Sequence, residues 1–321
     1  MNRPVITRFA PSPTGPLHLG HAYAAKVAHD LASQSGGKMI LRIDDIDHTR
    51  CRDIFTAQIL NDLDWLGLNW YGSASDAQSG RNAPRQSERM PAYQAALKTL
   101  QDKGLVYPCY LSRRELNALL SAPHAPIASQ FGENLPAATP PSVIANTDQL
   151  LSQKEQARRH AAGQGAAWRL RMDAAIDMAL SRNDGSAKGN DGETLSWFDH
   201  LAGRQIANPA QFGDVVIARA DIAVSYHLSV VIDDALDGVT LVTRGDDLVA
   251  STHLHRLLQA LLALSVPDYC HHVLVLDQAG KRLAKRDSAH SLEMMRQLHD
   301  NPSSLFGKMP LMPTVNLHGN A

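Results

Sequence analysis

The segment RFAPSPTGPLHLGH, residues 8–21, decides which fold the chain can adopt. It continues a strand-like run at residues 5–9, passes through a loop rich in proline and glycine, and enters a helical pattern at residues 17–33. His18 and His21 stand three residues apart at the start of this helix, on one face. Because a helix start presents unpaired N–H groups and partial positive charge, the segment predicts a phosphate-binding site.

Gly20 lies between the two histidines and has no Cβ atom, so a flat base could lie against its backbone. A short His-x-Gly-His pattern also occurs by chance, in which case His18 and His21 only cap the helix or lie half-buried. The pattern by itself leaves both interpretations open.

The elements around this segment predict an α/β fold. An apolar run at residues 39–43 leads into the acidic cluster 44–47, and apolar residues at helical spacing follow at 52–66 and 89–103. Strand–helix–strand units of these lengths predict a parallel sheet with right-handed crossovers. Further strands are predicted at residues 214–217, 226–232, 239–243 and 272–276, and further helices at 252–264 and 291–299.

The middle of the chain has a different composition. Residues 121–141 are rich in alanine and proline, and residues 181–196 in glycine, serine, asparagine and aspartate, so both predict surface loops. A polar helix at 148–162 and a strand at 167–172 lie between them, which predicts a small inserted α/β domain. The predicted division is 1–106 for the first half of the larger α/β domain, 107–212 for the insertion, 213–265 for the second half of the larger domain and 266–321 for a short helical C-terminal segment.

The composition is that of a globular protein, with 44% hydrophobic and 20% charged residues among 321. No apolar run approaches the roughly 20 residues of a membrane span, and no signal peptide is visible, so we expect a cytoplasmic protein. Three scattered cysteines, Cys51, Cys109 and Cys270, exclude a disulfide framework. The net charge of −1 means that any surface for nucleic acid must be local.

Taken as a whole, residues 8–21 resemble the ATP-binding signature of the glutamyl-tRNA synthetases, which are class I aminoacyl-tRNA synthetases, and of their shortened relatives. Other segments resemble further motifs of that family in the same order, namely LRIDDID at 41–47, YHLSVVIDD at 226–234, TRGDD at 243–247 and KRLAKR at 281–286. Several motifs in order are far more specific than any one of them. The resemblance implies the class I catalytic fold, a Rossmann-like parallel sheet that binds nucleotide at the C-terminal ends of its strands. It also implies a ligase that activates glutamate with ATP and Mg²⁺.

The resemblance also implies roles for individual residues. Those expected to bind ATP and act on its phosphates are His18, Gly20, His21 and Lys285. Those expected to bind glutamate are Arg8, Ala10, Ser12, Asp44, Tyr226 and Arg244. The planar forks of arginine suit carboxylates, the aspartate suits the substrate ammonium, and the lysine would neutralise the leaving pyrophosphate. Taken singly, each residue has an ordinary alternative as a surface ion pair, a core tyrosine or a solvated basic patch.

Two departures from the full-length pattern resemble the shortened relatives. The chain ends soon after residues 281–286, so no anticodon-binding domain is expected, and Val230 stands where full synthetases carry asparagine. The shortened relatives activate glutamate without tRNA and transfer it to the queuosine base in the anticodon of tRNA(Asp). The alternatives are a minimal synthetase charging tRNA(Glu), a small nucleotidyltransferase, and a catalytically silent tRNA-binding module.

Smaller departures concern metal and charge. Of the family's zinc-binding pattern only Cys109 is present, with Leu111 at the next ligand position, so we expect no structural zinc. Asp44 replaces a glutamate and Ala284 a serine, and since neither removes a charge we expect activity to survive. A monomer is expected. Basic residues that are candidates for contact with tRNA are Arg113, Arg114, Lys281, Arg282 and Arg286.

Overall fold

The computed structural model describes residues 4–72, 82–112, 114–116, 145–181, 194–219, 224–276, 291–298, 301–307 and 309–315. The strands in these ranges are β1 Ile6–Phe9, β2 Lys38–Leu41, β3 Val106–Cys109, β4 Ala167–Leu170, β5 Ser196–Asp199, β6 Gly203–Ile206, β7 Val216–Ala218, β8 Leu241–Gly245 and β9 Asp268–His272. The longer helices are α1 Leu19–Gln34, α2 Asp53–Trp65, α3 Met90–Asp102, α4 Gln153–Ala161, α5 Met172–Ser181, α6 Tyr226–Leu236, α7 Val249–Leu261 and α8 Leu292–Leu298. A short helix, α9, follows at Ser303–Phe306.

Parallel strands form the centre of the fold. β1 pairs in parallel with β2, and β9 pairs in parallel with both β8 and β5, while β6 pairs antiparallel with β5. The backbone N–H of Thr240 donates to the carbonyl oxygen of Ile6 at 2.9 Å, which places β8 beside β1. The predicted α/β class with a parallel sheet is therefore confirmed.

Helix α1 packs closely on this sheet because its buried face consists largely of alanine. Ala22, Ala25, Ala28 and Ala32 are all buried, so the helix backbone approaches the strands. The hydroxyl of Thr7 in β1 donates to the carbonyl oxygen of Ala28 at 2.8 Å. This contact fixes the helix, and with it the paired histidines at its start, relative to the end of β1.

A second, antiparallel sheet consists of β3, β4 and β7. The buried carboxylate of Asp214 links this sheet to the segments that connect its strands. One of its oxygens accepts from the hydroxyl of Tyr107, in β3, and from the backbone N–H of Asn146, both at 2.7 Å. The other oxygen accepts from the backbone N–H of Met172 at 2.8 Å. The division of the chain at residues 106, 212 and 265 remains a prediction.

The strand predicted at residues 226–232 is wrong, because these residues form the first two turns of helix α6. Ser225 caps the helix, with its hydroxyl accepting from the backbone N–H of Leu228 at 3.4 Å. The run from 228 to 234 is buried throughout, and packing against α3 and α7 hides it on several sides. A short run buried in this way has no periodicity that separates a strand from a helix. The strand predicted at 272–276 is also misplaced, because the observed strand is Asp268–His272 and shares only His272 with the prediction.

In the ranges that the structure describes, none of the helices has the length and apolar character needed to cross a membrane.

Candidate active site

A cavity of about 320 Å³ opens at the C-terminal ends of β1, β2, β8 and β9. Nine of the ten predicted site residues line it, namely Arg8, Ala10, Ser12, His18, Gly20, His21, Asp44, Tyr226 and Arg244. The strands bring them together because parallel strands end at one edge of the sheet. Val230 also lines the cavity. Lys285 lies outside the described residues, as do Ala284, Arg113, Lys281, Arg282 and Arg286.

His18 and His21 cap the start of helix α1 with their side chains. Nδ1 of His18 accepts from the backbone N–H of Gly20, and Nδ1 of His21 accepts from the backbone N–H of His18, both at 3.1 Å. A neutral imidazole that accepts at Nδ1 carries its proton at Nε2. Both rings are thereby set to donate from Nε2, which is the state suited to phosphate oxygens.

Two glycines keep the cavity open, Gly20 at the start of helix α1 and Gly245 at the end of β8. A Cβ atom built on Gly20 would lie 3.0 Å from Cε1 of His18. A Cβ atom on Gly245 would lie 2.5 Å from both a carboxylate oxygen of Asp247 and a methyl group of Leu274. Larger residues at these two positions would displace the walls of the cavity.

A buried network of charged side chains lies behind Asp44. Arg42 is completely buried; its Nε donates to Asp44 at 2.8 Å, and its Nη1 donates to Asp234 at 2.9 Å. Asp234 also accepts from Nε of Arg8 at 3.1 Å. Arg89 joins the same network through Asp233 and Asp237. The carboxyl groups in the network outnumber the guanidinium groups by one, as its members are Asp44, Asp233, Asp234 and Asp237 with Arg8, Arg42 and Arg89.

Asp44 is the carboxyl group of this network that lines the cavity, beside Arg8 and Arg42. Burial raises the pKa of its carboxyl to about 6, against the opposing effect of Arg42. At Asp234 burial also acts to raise the pKa, but Arg8 and Arg42 together hold it below its ordinary value. Asp44 is therefore the carboxyl group of the network that an ammonium group in the cavity would meet.

Arg244 faces the same cavity with its guanidinium group held by uncharged side chains. Its Nε contacts Nε2 of His271 and its Nη1 contacts Nδ1 of His255, both at 3.1 Å, while Nη2 donates to the hydroxyl of Thr252 at 2.5 Å. The side chain is buried, with 6% exposed. In the described part of the chain, no carboxylate lies within 4.0 Å of its nitrogens. A buried cation of this kind attracts an anion.

Several residues of the site were not predicted from the sequence. His255, His271 and Thr252 orient Arg244, and Asp199 supports His271 through a hydrogen bond of 2.5 Å to its Nδ1. Burial lowers the pKa of His271, while the hydrogen bond to Asp199 acts to raise it. The signal that could have drawn attention to them is the density of histidine in residues 253–255 and 271–272.

No group of three or more histidine, cysteine, aspartate or glutamate side chains in the described ranges is arranged to hold a metal ion. Cys109 is buried, and its sulfur accepts from the hydroxyl of Thr147 at 3.5 Å.

The strand ends of a parallel sheet meet the histidine-capped start of a helix, and the cavity beside them is lined by Asp44 and Arg244. This arrangement is the one expected of a class I tRNA synthetase. The sequence agrees with this class: residues 4–184 and 186–315 match the profile of the family described as tRNA synthetases class I (E and Q), catalytic domain. The chain belongs to this family.

Among curated relatives, the chain is 43% identical to the Glutamyl-Q tRNA(Asp) synthetase of Rhodobacter capsulatus over 94% of this chain and 98% of that protein. It is 38% identical to the protein of the same name from Symbiobacterium thermophilum, of which it covers 84%. A Glutamate--tRNA ligase from a Synechococcus strain is 34% identical, and the chain covers 58% of it. The predicted resemblance to the shortened relatives is confirmed.

Solved structures show the same relationship. The chain superimposes with a TM-score of 0.65 and 26% identity on the crystal structure of a glutamate tRNA ligase from Elizabethkingia meningosepticum in complex with its amino acid. The match covers 89% of this chain and 53% of that one, so the chain spans about half the length of the longer enzyme.

Proposed function

We propose that the protein activates L-glutamate with ATP in the absence of tRNA and transfers it to the queuosine base in the anticodon of tRNA(Asp). The observation that carries the proposal is that one cavity presents the carboxyl group of Asp44 and the guanidinium group of Arg244, a buried cation that no carboxylate of the described residues contacts. The near full-length similarity to proteins named Glutamyl-Q tRNA(Asp) synthetase supports the choice of tRNA.

Glutamate carries one ammonium and two carboxylates, and the cavity offers a partner for each charge that does not react. Asp44 accepts from the ammonium, which balances the network behind it. Arg244 binds the side-chain carboxylate, because the charge of Arg8 is already paired with Asp234. The α-carboxylate is left without a strong ion pair and keeps its nucleophilic character. Tyr226 and Ser12 line the mouth of the cavity and contribute hydroxyl groups.

ATP occupies the side of the cavity formed by the start of helix α1. Nε2 of His18 and Nε2 of His21 donate to phosphate oxygens, and the base lies against Gly20. An α-carboxylate oxygen forms a bond to the α-phosphorus while the bond to the pyrophosphate oxygen breaks. Lys285 neutralises the leaving pyrophosphate, and Mg²⁺ accompanies the nucleotide. The side chains catalyse by placing the reactants and stabilising charge.

In the second step, a hydroxyl group of the modified base attacks the carbonyl carbon of glutamyl-adenylate and AMP leaves. The full-length ligase acting on tRNA(Glu) is the alternative enzyme, and the relatives of that name are much longer than this chain. We further propose that the protein acts as a monomer in the cytoplasm, where ATP and tRNA are present together.

Glutamate-dependent exchange of pyrophosphate into ATP, measured without tRNA, tests the first step. We expect exchange with L-glutamate and at least 100-fold less with L-glutamine or L-aspartate. Arg244→Gln should reduce exchange with glutamate about 100-fold, the value of a buried charged hydrogen-bond pair. Arg204→Gln, outside the cavity, is the matched control and should leave exchange unchanged. No exchange with any amino acid would contradict the proposal.

A further inference from the structure

The contacts of Arg244 determine the proton positions on its neighbours. An arginine side chain has only donors, so Nδ1 of His255 and Nε2 of His271 must each present a lone pair to it. The proton of His255 then sits on Nε2, which lies 3.1 Å from Nδ1 of His227 and donates to it. Donation therefore runs in one direction, from Arg244 to His255 to His227.

Burial keeps this chain of imidazoles uncharged. It lowers the pKa of His227 to about 4, with a smaller contribution from the charge of Arg244. It lowers the pKa of His255 well below its ordinary value, again with Arg244 acting in the same direction. The other charged or titratable groups that act on His255 are His227, Arg8 and His271, and all of them disfavour its protonation. The ring of Tyr226 packs against both imidazoles, with its centroid 5.5 Å from that of His227 and 5.7 Å from that of His255.

The other buried arginines at the cavity are held in a different way. Arg8 donates to the carboxylate of Asp234, and Arg42 donates to three carboxylates. Those contacts orient the guanidinium groups and also neutralise them. An imidazole acceptor orients Arg244 equally well but leaves its charge in place.

We propose that His255 and His227 are positioning residues that hold Arg244 without neutralising it, so that its charge selects the side-chain carboxylate of glutamate over the amide of glutamine. The inference rests on the proposed function for the identity of the substrate. His227 contributes by accepting from Nε2 of His255, which keeps the lone pair of His255 directed at Arg244.

Substitutions at His255 separate orientation from charge. His255→Gln keeps a neutral oxygen acceptor for Arg244 and a donor for His227. His255→Glu has nearly the same size and also holds the guanidinium group, but its carboxylate completes an ion pair. His255→Leu removes the acceptor. Equilibrium binding of L-glutamate, L-glutamine and ATP to each full-length variant gives the readout.

We expect His255→Gln to bind glutamate within about threefold of the wild type. His255→Glu should weaken glutamate binding about 10- to 100-fold, the value of one charge-assisted interaction, with ATP affinity unchanged. Its preference for glutamate over glutamine should fall by a similar factor, since the neutral amide gains nothing from the charge of Arg244. Equal glutamate affinity in the Gln and Glu variants would overturn the proposal.

His253 provides a matched control on the same helix. Its Nδ1 accepts from the backbone N–H of Asn208 at 2.9 Å, and its ring packs against Trp197 outside the cavity. His253→Gln and His253→Glu should bind glutamate alike. If His255→Glu does not fold, as judged by lost ATP binding, His255→Gln and His255→Leu decide the question. About tenfold weaker glutamate binding by the Leu variant supports the proposal, and equal binding overturns it.

The wild-type protein separates this inference from the proposed function. ATP binding without any glutamate-dependent pyrophosphate exchange would contradict the proposed function. Normal exchange with glutamate, together with identical glutamate binding by all His255 variants, would contradict the positioning role alone.

Discussion

His18 and His21 hold each other in place at the start of helix α1. The backbone N–H of His18 donates to Nδ1 of His21, and the two imidazole rings lie 3.8 Å apart between centroids. The hydrogen bond satisfies a donor at the helix start and also selects the imidazole tautomer that donates from Nε2. The capping geometry and the phosphate chemistry therefore depend on the same two side chains.

Removing one ring should affect activity far more than stability. His21→Ala removes a preoriented phosphate donor, so we expect kcat for pyrophosphate exchange to fall at least about 100-fold. The lost cap should reduce the free energy of unfolding by about 1 kcal/mol. His29→Ala, on the same helix but outside the cavity, is the control and should retain activity. Equal activity of the two variants would rule out a role for His21 with ATP.

Asp44 should impose a pH dependence on glutamate binding. Its raised pKa of about 6 means that the carboxyl is ionised above pH 6 and protonated below it. Only the ionised form carries the negative charge that balances an ammonium group, so kcat/KM for glutamate should fall about tenfold per pH unit below pH 6. The measurement is a pH profile of exchange at saturating ATP.

The variant Asp44→Asn assigns this ionisation. It should have a lower kcat/KM for glutamate at pH 7.5, and its profile between pH 5 and 7 should lose the tenfold slope. An unchanged slope in the variant would assign the ionisation to another group.

Gly20 should matter for the nucleotide and not for the amino acid. Gly20→Ala places a Cβ atom 3.0 Å from Cε1 of His18, which must shift, and it occupies space beside the base. We expect KM for ATP to rise about tenfold, roughly 1.4 kcal/mol of binding free energy, with glutamate binding unchanged. Steady-state kinetics with each substrate varied in turn provide the measurement. A selective effect on glutamate would place the nucleotide elsewhere.

The carboxylate of Asp214 should be a stability determinant distant from the chemistry. Both carboxylate oxygens of Asp214 accept hydrogen bonds. Asp214→Asn replaces one of these acceptors with an N–H₂ donor that faces another donor, so we expect a loss of about 1–3 kcal/mol in the free energy of unfolding. Urea denaturation measures this loss. Asp173→Asn, at an exposed carboxylate on helix α5, should change stability by less than about 0.5 kcal/mol. Equal stability of both variants would show that the hydrogen bonds of Asp214 contribute little.

The parallel sheet and much of the cavity wall could be predicted because three of the motifs begin in, follow or end a strand. Residues 8–21 begin in β1, residues 41–47 follow β2, and residues 243–247 end β8. Parallel strands place all of these ends at one edge. The positions of Arg8, Asp44 and Arg244 therefore follow from local patterns combined with a single rule of topology.

The surroundings of these side chains could not be predicted in the same way. Arg42 and Asp234 lie 192 residues apart and meet only in the folded chain. His255 lies in helix α7, which contains none of the family motifs. The sequence alone does not show whether His253 or His255 faces Arg244. The start of helix α6 is predicted as a strand because a short, continuous run of apolar residues occurs both in buried strands and in buried helices. Long-range packing decides each of these features.

Transfer of labelled glutamate to purified tRNA in the presence of ATP tests the proposed function most directly. The substrates are tRNA(Asp) with queuosine, tRNA(Asp) without it, and tRNA(Glu). We predict that only tRNA(Asp) containing queuosine becomes labelled. Labelling of tRNA(Glu) would contradict this prediction and identify a short glutamyl-tRNA synthetase instead.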